Sequence, residues 1–249
     1  MLHLTTIQAS AFKSTFECLK DVLNDVNLIF KPDGCFLTCL DSARTSLVDM
    51  QLAADNFEEY QCDVPEIVCG LNITNTFKLL KVIGNNDVLK LDMSDKEFLD
   101  IEILSESRRT NTKFRLKLLD INESRVECPE IEMSVITTLG SVDFQRLCRD
   151  MGNVGSEISI TREKNIISLS CEGDFASQET SIECLETVDC RLSGLYSLKY
   201  LNIFSKSATM CPSLQIMQEQ QNRFLTLQYR VANLGTLRFY LATKIEAQT

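Results

Sequence analysis

Histidine is nearly missing from this chain of 249 residues, which has one, His3. Chemistry that pairs a serine or cysteine nucleophile with an imidazole base therefore has a single candidate base, at the very start of the sequence. Glycine and proline are also sparse, at nine and four residues. The glycines nowhere fall into G-x-x-x-x-G-K-[ST] or G-x-G-x-x-G, so the phosphate-cradling loops of nucleotide-binding folds are excluded. No uninterrupted apolar run approaches the ~20 residues that a membrane-spanning helix needs. The opening Met1-Leu2-His3-Leu4-Thr5-Thr6 lacks the basic-then-apolar order of a signal peptide, and the expectation is an intracellular protein without a membrane partner. Positive charge is the scarcer sign: 25 Lys+Arg stand against 35 Asp+Glu, for a net charge of -10 and a pI near 4.8. Taken alone, that balance argues against a polyanionic partner, although a net figure does not locate the basic residues.

Hydrophobic residues at 44% and charged residues at 24% describe a globular chain, long enough for one large domain or two modest ones. Eleven cysteines are spread through the sequence with no C-x-x-C pair. Several lie in apolar segments such as Cys35-Phe36-Leu37-Thr38-Cys39, where a reduced thiol acts as a small buried hydrophobe. The densest acidic stretch, Asp92-Met93-Ser94-Asp95-Lys96-Glu97 with Asp100 following, lacks the glycine and closing glutamate of a calcium loop and reads as solvated. The expectation is no catalytic residue, no metal site and no cofactor.

Periodicity gives one order of elements twice. Phe12, Phe16, Leu19, Leu23 and Val26 recur at steps of 4, 3, 4 and 3, the apolar stripe of a helix. Strands over 27–30 and 35–40 flank a Lys31-Pro32-Asp33-Gly34 turn, and further strands cover 46–53 and 59–63. A second helix capped at Thr74 or Asn75 carries Phe77, Leu80 and Ile83, and strands over 87–93, 99–104 and 114–119 close the half. In the second half Phe144, Leu147, Cys148 and Met151 mark a helix opening near Ser141. A strand pair over 157–161 and 166–171 is expected around an Arg162-Glu163-Lys164-Asn165 turn, then a helix over 195–206 and strands over 213–217, 224–231 and 236–242. Between the halves, 120–134 is acidic and weakly periodic, an exposed connector. The fold expected is α+β, two tandem similar domains (1–119 and 135–249), each with two helices on mainly antiparallel sheet.

The outward faces of the four helices gather basic residues in pairs: Lys13 and Lys20, Lys78 and Lys81, Arg146 and Arg149, Lys199 and Lys206. Spacings of three or seven place both members of a pair on one face. Any solvated helix carries lysines, and Glu17, Asp21, Asp143 and Asp150 share these helices. The alternative is a chain polarised into a basic helical surface and an acidic remainder. No aromatic residue interleaves the basic ones as a stacking platform, which disfavours single-stranded nucleic acid and favours phosphate contact without base reading.

Four segments carry a family resemblance: Leu40-Asp41-Ser42-Ala43-Arg44-Thr45-Ser46-Leu47-Val48, Leu147-Cys148-Arg149-Asp150, Lys199-Tyr200-Leu201-Asn202-Ile203-Phe204 and Tyr240-Leu241-Ala242-Thr243-Lys244-Ile245-Glu246. They resemble the corresponding stretches of proliferating cell nuclear antigen, the eukaryotic sliding DNA clamp, and the likeness runs over essentially the whole length. It implies three subunits closed head to tail into a ring, helices lining the hole and sheets outside. The eight basic residues would then face duplex phosphates, with no base sequence read. Ser14 and Asn153 stand where a relative often has a basic residue or histidine, so a weaker lining is expected.

The resemblance also implies a depression that takes short partner peptides, lined here by Leu40, Arg44, Thr45, Leu47, Val126, Cys128, Pro129, Phe224, Tyr240, Leu241 and Ala242. Without the family these would be ordinary core or edge residues. Arg44, Thr45 and Phe224 depart from commoner choices, so an altered peptide preference is expected. Lys164 matches a modifiable lysine of eukaryotic clamps. Ring closure would pair the edge segment 109–117, with Arg109, Lys113 and Arg115, against 175–184, with Glu179 and Glu183. Implied partners are double-stranded DNA, DNA polymerase, a clamp loader and replication and repair proteins; the implied place is the nucleus, or the replication site of a virus. The nearest rival is a subunit of a heterotrimeric checkpoint clamp. A rival of another class is a carboxylate-metal nuclease using Asp92, Asp95 and Asp100.

Overall fold

A computed structural model describes residues 1–122, 125–128 and 133–244. Chain contacts group them into two compact units, the first built from Met1–Ser42, Val48–Cys128 and Arg230–Leu237, the second from Ala43–Leu47, Pro129–Tyr229 and Arg238–Thr249.

The first unit runs β1 (Leu2–Thr6), α1 (Ala9–Leu19), β2 (Asp25–Lys31), β3 (Gly34–Leu40), β4 (Ser46–Ala53), β5 (Glu59–Cys62), β6 (Ile67–Asn72), α2 (Ile73–Leu80), β7 (Val88–Met93), β8 (Phe98–Ser105) and β9 (Thr110–Lys117). Period-two patterning makes the strands: in β8, Leu99, Ile101 and Ile103 are buried while Asp100 and Glu102 between them face outward. Five strands form an antiparallel sheet in the order β5-β1-β7-β8-β9, and β4, β3, β2 and β6 lie side by side in that order in a second sheet. The helices pack on each other and bury Phe12, Phe16 and Leu19 from α1 and Ile73, Thr76 and Leu80 from α2.

Three expectations shift here. The first helix stops at Leu19, because the N–H groups of Val22 and Leu23 both turn back to the Leu19 carbonyl; Leu23 is buried in that turn and Val26 already belongs to β2. The second helix starts at Ile73, capped by Asn72, whose side-chain oxygen accepts from the Asn75 N–H at 2.9 Å, so the cap lies ahead of Thr74. Strand β9 begins at Thr110, four residues before the expected start, since Asn111, Thr112 and Lys113 pair with Leu104, Ile103 and Glu102. β1 and β6 carried no strand expectation: five and six residues long, with a glycine inside β6, they show little periodicity. Gly70 in β6 is needed for a close approach: a Cβ there would lie 2.1 Å from the Leu119 carbonyl oxygen, while the Leu119 N–H donates to the Gly70 carbonyl at 2.7 Å. The chain leaving β9 thus runs along the outer edge of β6, helped by the Asn27 amide, which donates to the Ile121 carbonyl at 3.1 Å.

The second unit runs β10 (Val135–Gly140), α3 (Ser141–Gly152), β11 (Glu157–Glu172), β12 (Ser177–Ser197), α4 (Leu198–Phe204), β13 (Ser213–Gln218), β14 (Phe224–Val231) and β15 (Gly235–Ala242). Each unit therefore opens strand–helix, and in each a second helix leads into three consecutive strands, the first of which pairs with the opening strand: β1 with β7, β10 with β13. The core of the second unit holds Phe144, Tyr196 and a stack of Phe204 on Phe239 at 4.5 Å. Helix α4 is shorter than expected and passes into a 3₁₀ turn over Ser205–Thr209 that carries Lys206.

The expected hairpin at Arg162–Asn165 is not a turn. β11 continues through it as one strand of 16 residues paired with the 21 residues of β12, and the register shifts on either side of Lys164, which adopts φ 51°. Arg162 explains the continuity. Only 1% exposed, it donates through Nη1 to the carbonyls of Lys164 and Ile166, through Nη2 to the Glu186 carbonyl at 2.5 Å, and through Nε to the Thr137 hydroxyl at 3.2 Å. A guanidinium with several directed donors takes up carbonyls that a shifted ladder leaves unpaired.

Candidate nucleic-acid interface

Each pair of helices presents its basic residues differently. In the first unit Lys13 is half-buried and its Nζ donates to the Ile83 carbonyl at 2.7 Å, just past the end of α2. Lys20, the C-cap of α1, lies with Nζ 4.5 Å from the centre of the Phe77 ring and 4.0 Å from Glu17. Lys78 is exposed and bonds the Asn75 side chain at 3.0 Å, and Lys81, the C-cap of α2, is exposed. α2 carries no acidic residue, so its end is wholly basic. Phe77 amends the expectation that no aromatic residue joins the basic ones: it directly precedes Lys78 in sequence, but only the packing of α1 on α2 brings Lys20 over it.

In the second unit Arg146 and Arg149 are exposed on α3 and share that face with carboxylates, Arg146 with Asp143 at 3.1 Å and Arg149 with Asp150 at 3.8 Å. Lys199 on α4 and Lys206 on the 3₁₀ turn are exposed. An exposed ion pair in water holds its partners weakly, so these arginines remain open to exchange for a stronger anion.

Two bare strand edges accompany these helices. β9 ends the five-stranded sheet, and β12, paired with β11, is met on its other side only at Leu195, which bridges Lys244, among the described residues. Lys113 and Arg115 project outward from β9, whereas Arg109 sits in the preceding turn at φ 52° and is not part of the strand. These two cations already have partners within the unit: Lys113 lies 3.1 Å from Glu102, and Arg115 lies 3.0 Å from Asp95 and 3.7 Å from Asp100. The Asn111 amide first, then Lys113, holds the Glu102 carboxyl below its usual range. Glu179 and Glu183 are exposed on β12, and Glu183 accepts from Asn165 at 3.3 Å. Phe175 stands 78% exposed in the turn before that strand.

These contacts divide the acidic loop between Arg115 and His3. Asp95 and Asp100 are held by Arg115, and Asp92 accepts from His3 Nδ1 at 2.5 Å. Two of the three carboxylates thus share one arginine and the third faces His3, and no cluster of three or more His, Cys, Asp or Glu suited to a metal occurs among the described residues.

Of the expected peptide-pocket residues, Leu40, Val126 and Cys128 are half-buried in the first unit. In the second, Arg44 is exposed at φ 54°, Thr45, Phe224 and Ala242 are half-buried, and Leu47 and Tyr240 are 7% and 5% exposed. Leu241, at 1%, is a core side chain and not a surface one. Pro129 lies outside the described residues, as do Ile245 and Glu246 of the resembling segment. Lys164 is exposed at the bulge that Arg162 secures.

Two units of one α+β plan, with basic side chains on their helices and a bare edge strand in each, define the DNA-clamp class of folds. The comparisons with known proteins agree: the family model for the proliferating cell nuclear antigen N-terminal domain matches residues 1–126 and that for its C-terminal domain matches residues 127–244. A relative from Paramecium bursaria Chlorella virus 1, "Probable DNA polymerase sliding clamp 1", is 33% identical over 256 residues, covering 97% of this chain and 96% of the relative. The chain belongs to the proliferating cell nuclear antigen family.

Proposed function

We propose that this protein is a DNA sliding clamp that raises polymerase processivity by encircling duplex DNA, and that it catalyses no reaction itself. The reading is carried by the eight basic side chains on the helices of both units and the 3₁₀ turn after α4, all of them exposed or half-exposed. Lysine and arginine on phosphate give sequence-independent, exchangeable contact, which sliding needs. Family membership and the viral relative support the same role.

We take 1–119 and 135–249 as the two domains and 120–134 as the connector. Three copies would close head to tail by adding β9 of one subunit to β12 of the next, with Lys113 and Arg115 exchanging an internal carboxylate for Glu179 and Glu183. Polymerase, clamp loader and replication and repair proteins would dock through short peptides on Leu40, Arg44, Thr45, Leu47, Val126, Cys128, Pro129, Phe224, Tyr240 and Ala242, with Leu241 beneath. Lys164 is proposed as a modification site, and the nucleus or a viral replication site as the place of action.

Polymerase extension on a primed circle, with clamp loader, tests the function: added protein should lengthen products, and Lys20→Glu with Arg149→Glu should shorten them while light scattering still reports a trimer. Unchanged product length with the double variant would refute the helix faces as the DNA surface. A stable monomer in light scattering of the parent chain would replace the homotrimer with a clamp that closes on different neighbours.

A further inference from the structure

We propose that Phe77 is a positioning residue for DNA contact, holding the Lys20 ammonium over the seam between α1 and α2 and presenting it there to a phosphate oxygen. The inference rests on the helix faces being the duplex-facing surface, and it names how one of their charges is kept available.

Lys20 has two neighbours of different character. Glu17, one turn back on the same helix, lies 4.0 Å from Nζ and would neutralise the charge it binds. The Phe77 ring lies 4.5 Å away on the other helix and attracts the cation through its quadrupole without cancelling its charge. An ammonium has three donors, and a ring on one side leaves the other side for an anion. The side chain is 28% exposed, laid on the ring yet reachable from solvent. It is therefore largely ordered before any anion arrives, and the rotamer freedom a lysine loses on binding is already given up.

Four of the other helix-face basic residues are held differently. Arg146 and Arg149 stand beside carboxylates, Lys78 bonds an amide, and Lys13 is engaged at the Ile83 carbonyl. Without the ring, nothing competes with Glu17 for the Lys20 ammonium, and a phosphate must displace that carboxylate.

Anisotropy titration of the full chain with a short linear DNA duplex, repeated over a salt series, tests this. Phe77→Leu keeps an apolar contact between the helices, and it should weaken binding about two- to fivefold, the cation–π contribution at an exposed site. Phe77→Trp should bind at least as tightly as the parent chain. In a Lys20→Met background Phe77→Leu should have no further effect, and in a Glu17→Gln background its effect should shrink. Equal losses with and without Lys20, or parent-like binding of Phe77→Leu at every salt concentration, would overturn the assignment. If Lys20→Met leaves both affinity and salt slope unchanged, the duplex-facing reading of this helix pair falls with it; if Lys20→Met lowers the slope and Phe77→Leu does nothing, only the role of Phe77 falls. A measurement on the parent chain does not depend on a variant's folding: Lys20 ε-methylene protons should resonate upfield of the random-coil position through the ring current, and random-coil shifts would refute the contact.

Discussion

Replacing Arg162 with alanine tests whether a single buried guanidinium holds the longest ladder of the second unit in register. Its described partners are all neutral: the Thr137 hydroxyl at 3.2 Å and the carbonyls of Lys164, Ile166 and Glu186. A hydrogen bond with one charged partner contributes about 1.5–3 kcal/mol, but the buried ion's own desolvation offsets several kcal/mol of the sum. Lys164, Ile166 and Glu186 are exposed residues whose carbonyls can take water once the side chain is gone, whereas Thr137, 3% exposed, is left with an unmet polar atom. The net cost of Arg162→Ala is then about 3 kcal/mol, combining the unmet hydroxyl at about 1–3 kcal/mol with lost packing. At about 2–4 °C per kcal/mol for a chain of this length, the melting temperature should fall by about 6–12 °C. Calorimetry reads that fall, and hydrogen exchange should show protection lost over 163–167 and 184–188 while β13 and β14 keep theirs. Arg162→Lys, with a single ammonium in place of the fork, should recover only part of it. Parent-like melting together with unchanged protection around Lys164 would refute the account of the bulge.

Two further outcomes follow from contacts in the first unit. Gly70→Ala would set a Cβ 2.1 Å from the Leu119 carbonyl oxygen, so it should cost about 1–3 kcal/mol and raise hydrogen exchange over 118–121; unchanged exchange there would show that this segment is not anchored on β6. The pKa of His3 is raised, first by Asp92 and then by Glu59, so its stabilising contribution is complete below the ordinary histidine value of 6.5 and is lost as pH rises through its higher folded value. Glu59 is held low, first by the Thr5 hydroxyl and then by His3, so its own contribution is present above the ordinary carboxylate range and lost on acidification. A thermal melt of His3→Gln should therefore trail the parent chain at pH 6 and converge with it toward pH 9, and an equal gap at both pH values would contradict the pairing.

Much of the chain was readable from residue patterning. β14 ends where its alternation ends, and α3 begins at the expected Ser141. The eight basic residues were visible because solvated helix positions follow spacing alone. What fixes each of them was not: the Ile83 carbonyl on Lys13 is 70 residues away, and the Phe77 ring under Lys20 arrives only when two helices pack. Arg162–Asn165 misled for a related reason. Four consecutive polar residues look like a turn, and a buried arginine inside a continuous strand contradicts the usual exposure of that side chain. Two of its acceptors, Thr137 in β10 and Glu186 in β12, are distant in sequence and leave no local trace. The first helix overran because Leu23 and Val26 continue the 3.6-residue spacing while belonging to a turn and a strand.

The segment following β9 has a consequence beyond holding itself in place. By bridging β6 at Gly70 it occupies the middle of that strand's free edge, and β5, the edge of the five-stranded sheet opposite β9, has four residues with Pro65 close behind. The eight residues of β9 remain as the long accessible edge of that sheet. Which surfaces of the first unit can meet another chain is thus decided as much by covering as by attraction: the chain uses its own onward path as a strip of tape over one seam and leaves β9 as that unit's long open one.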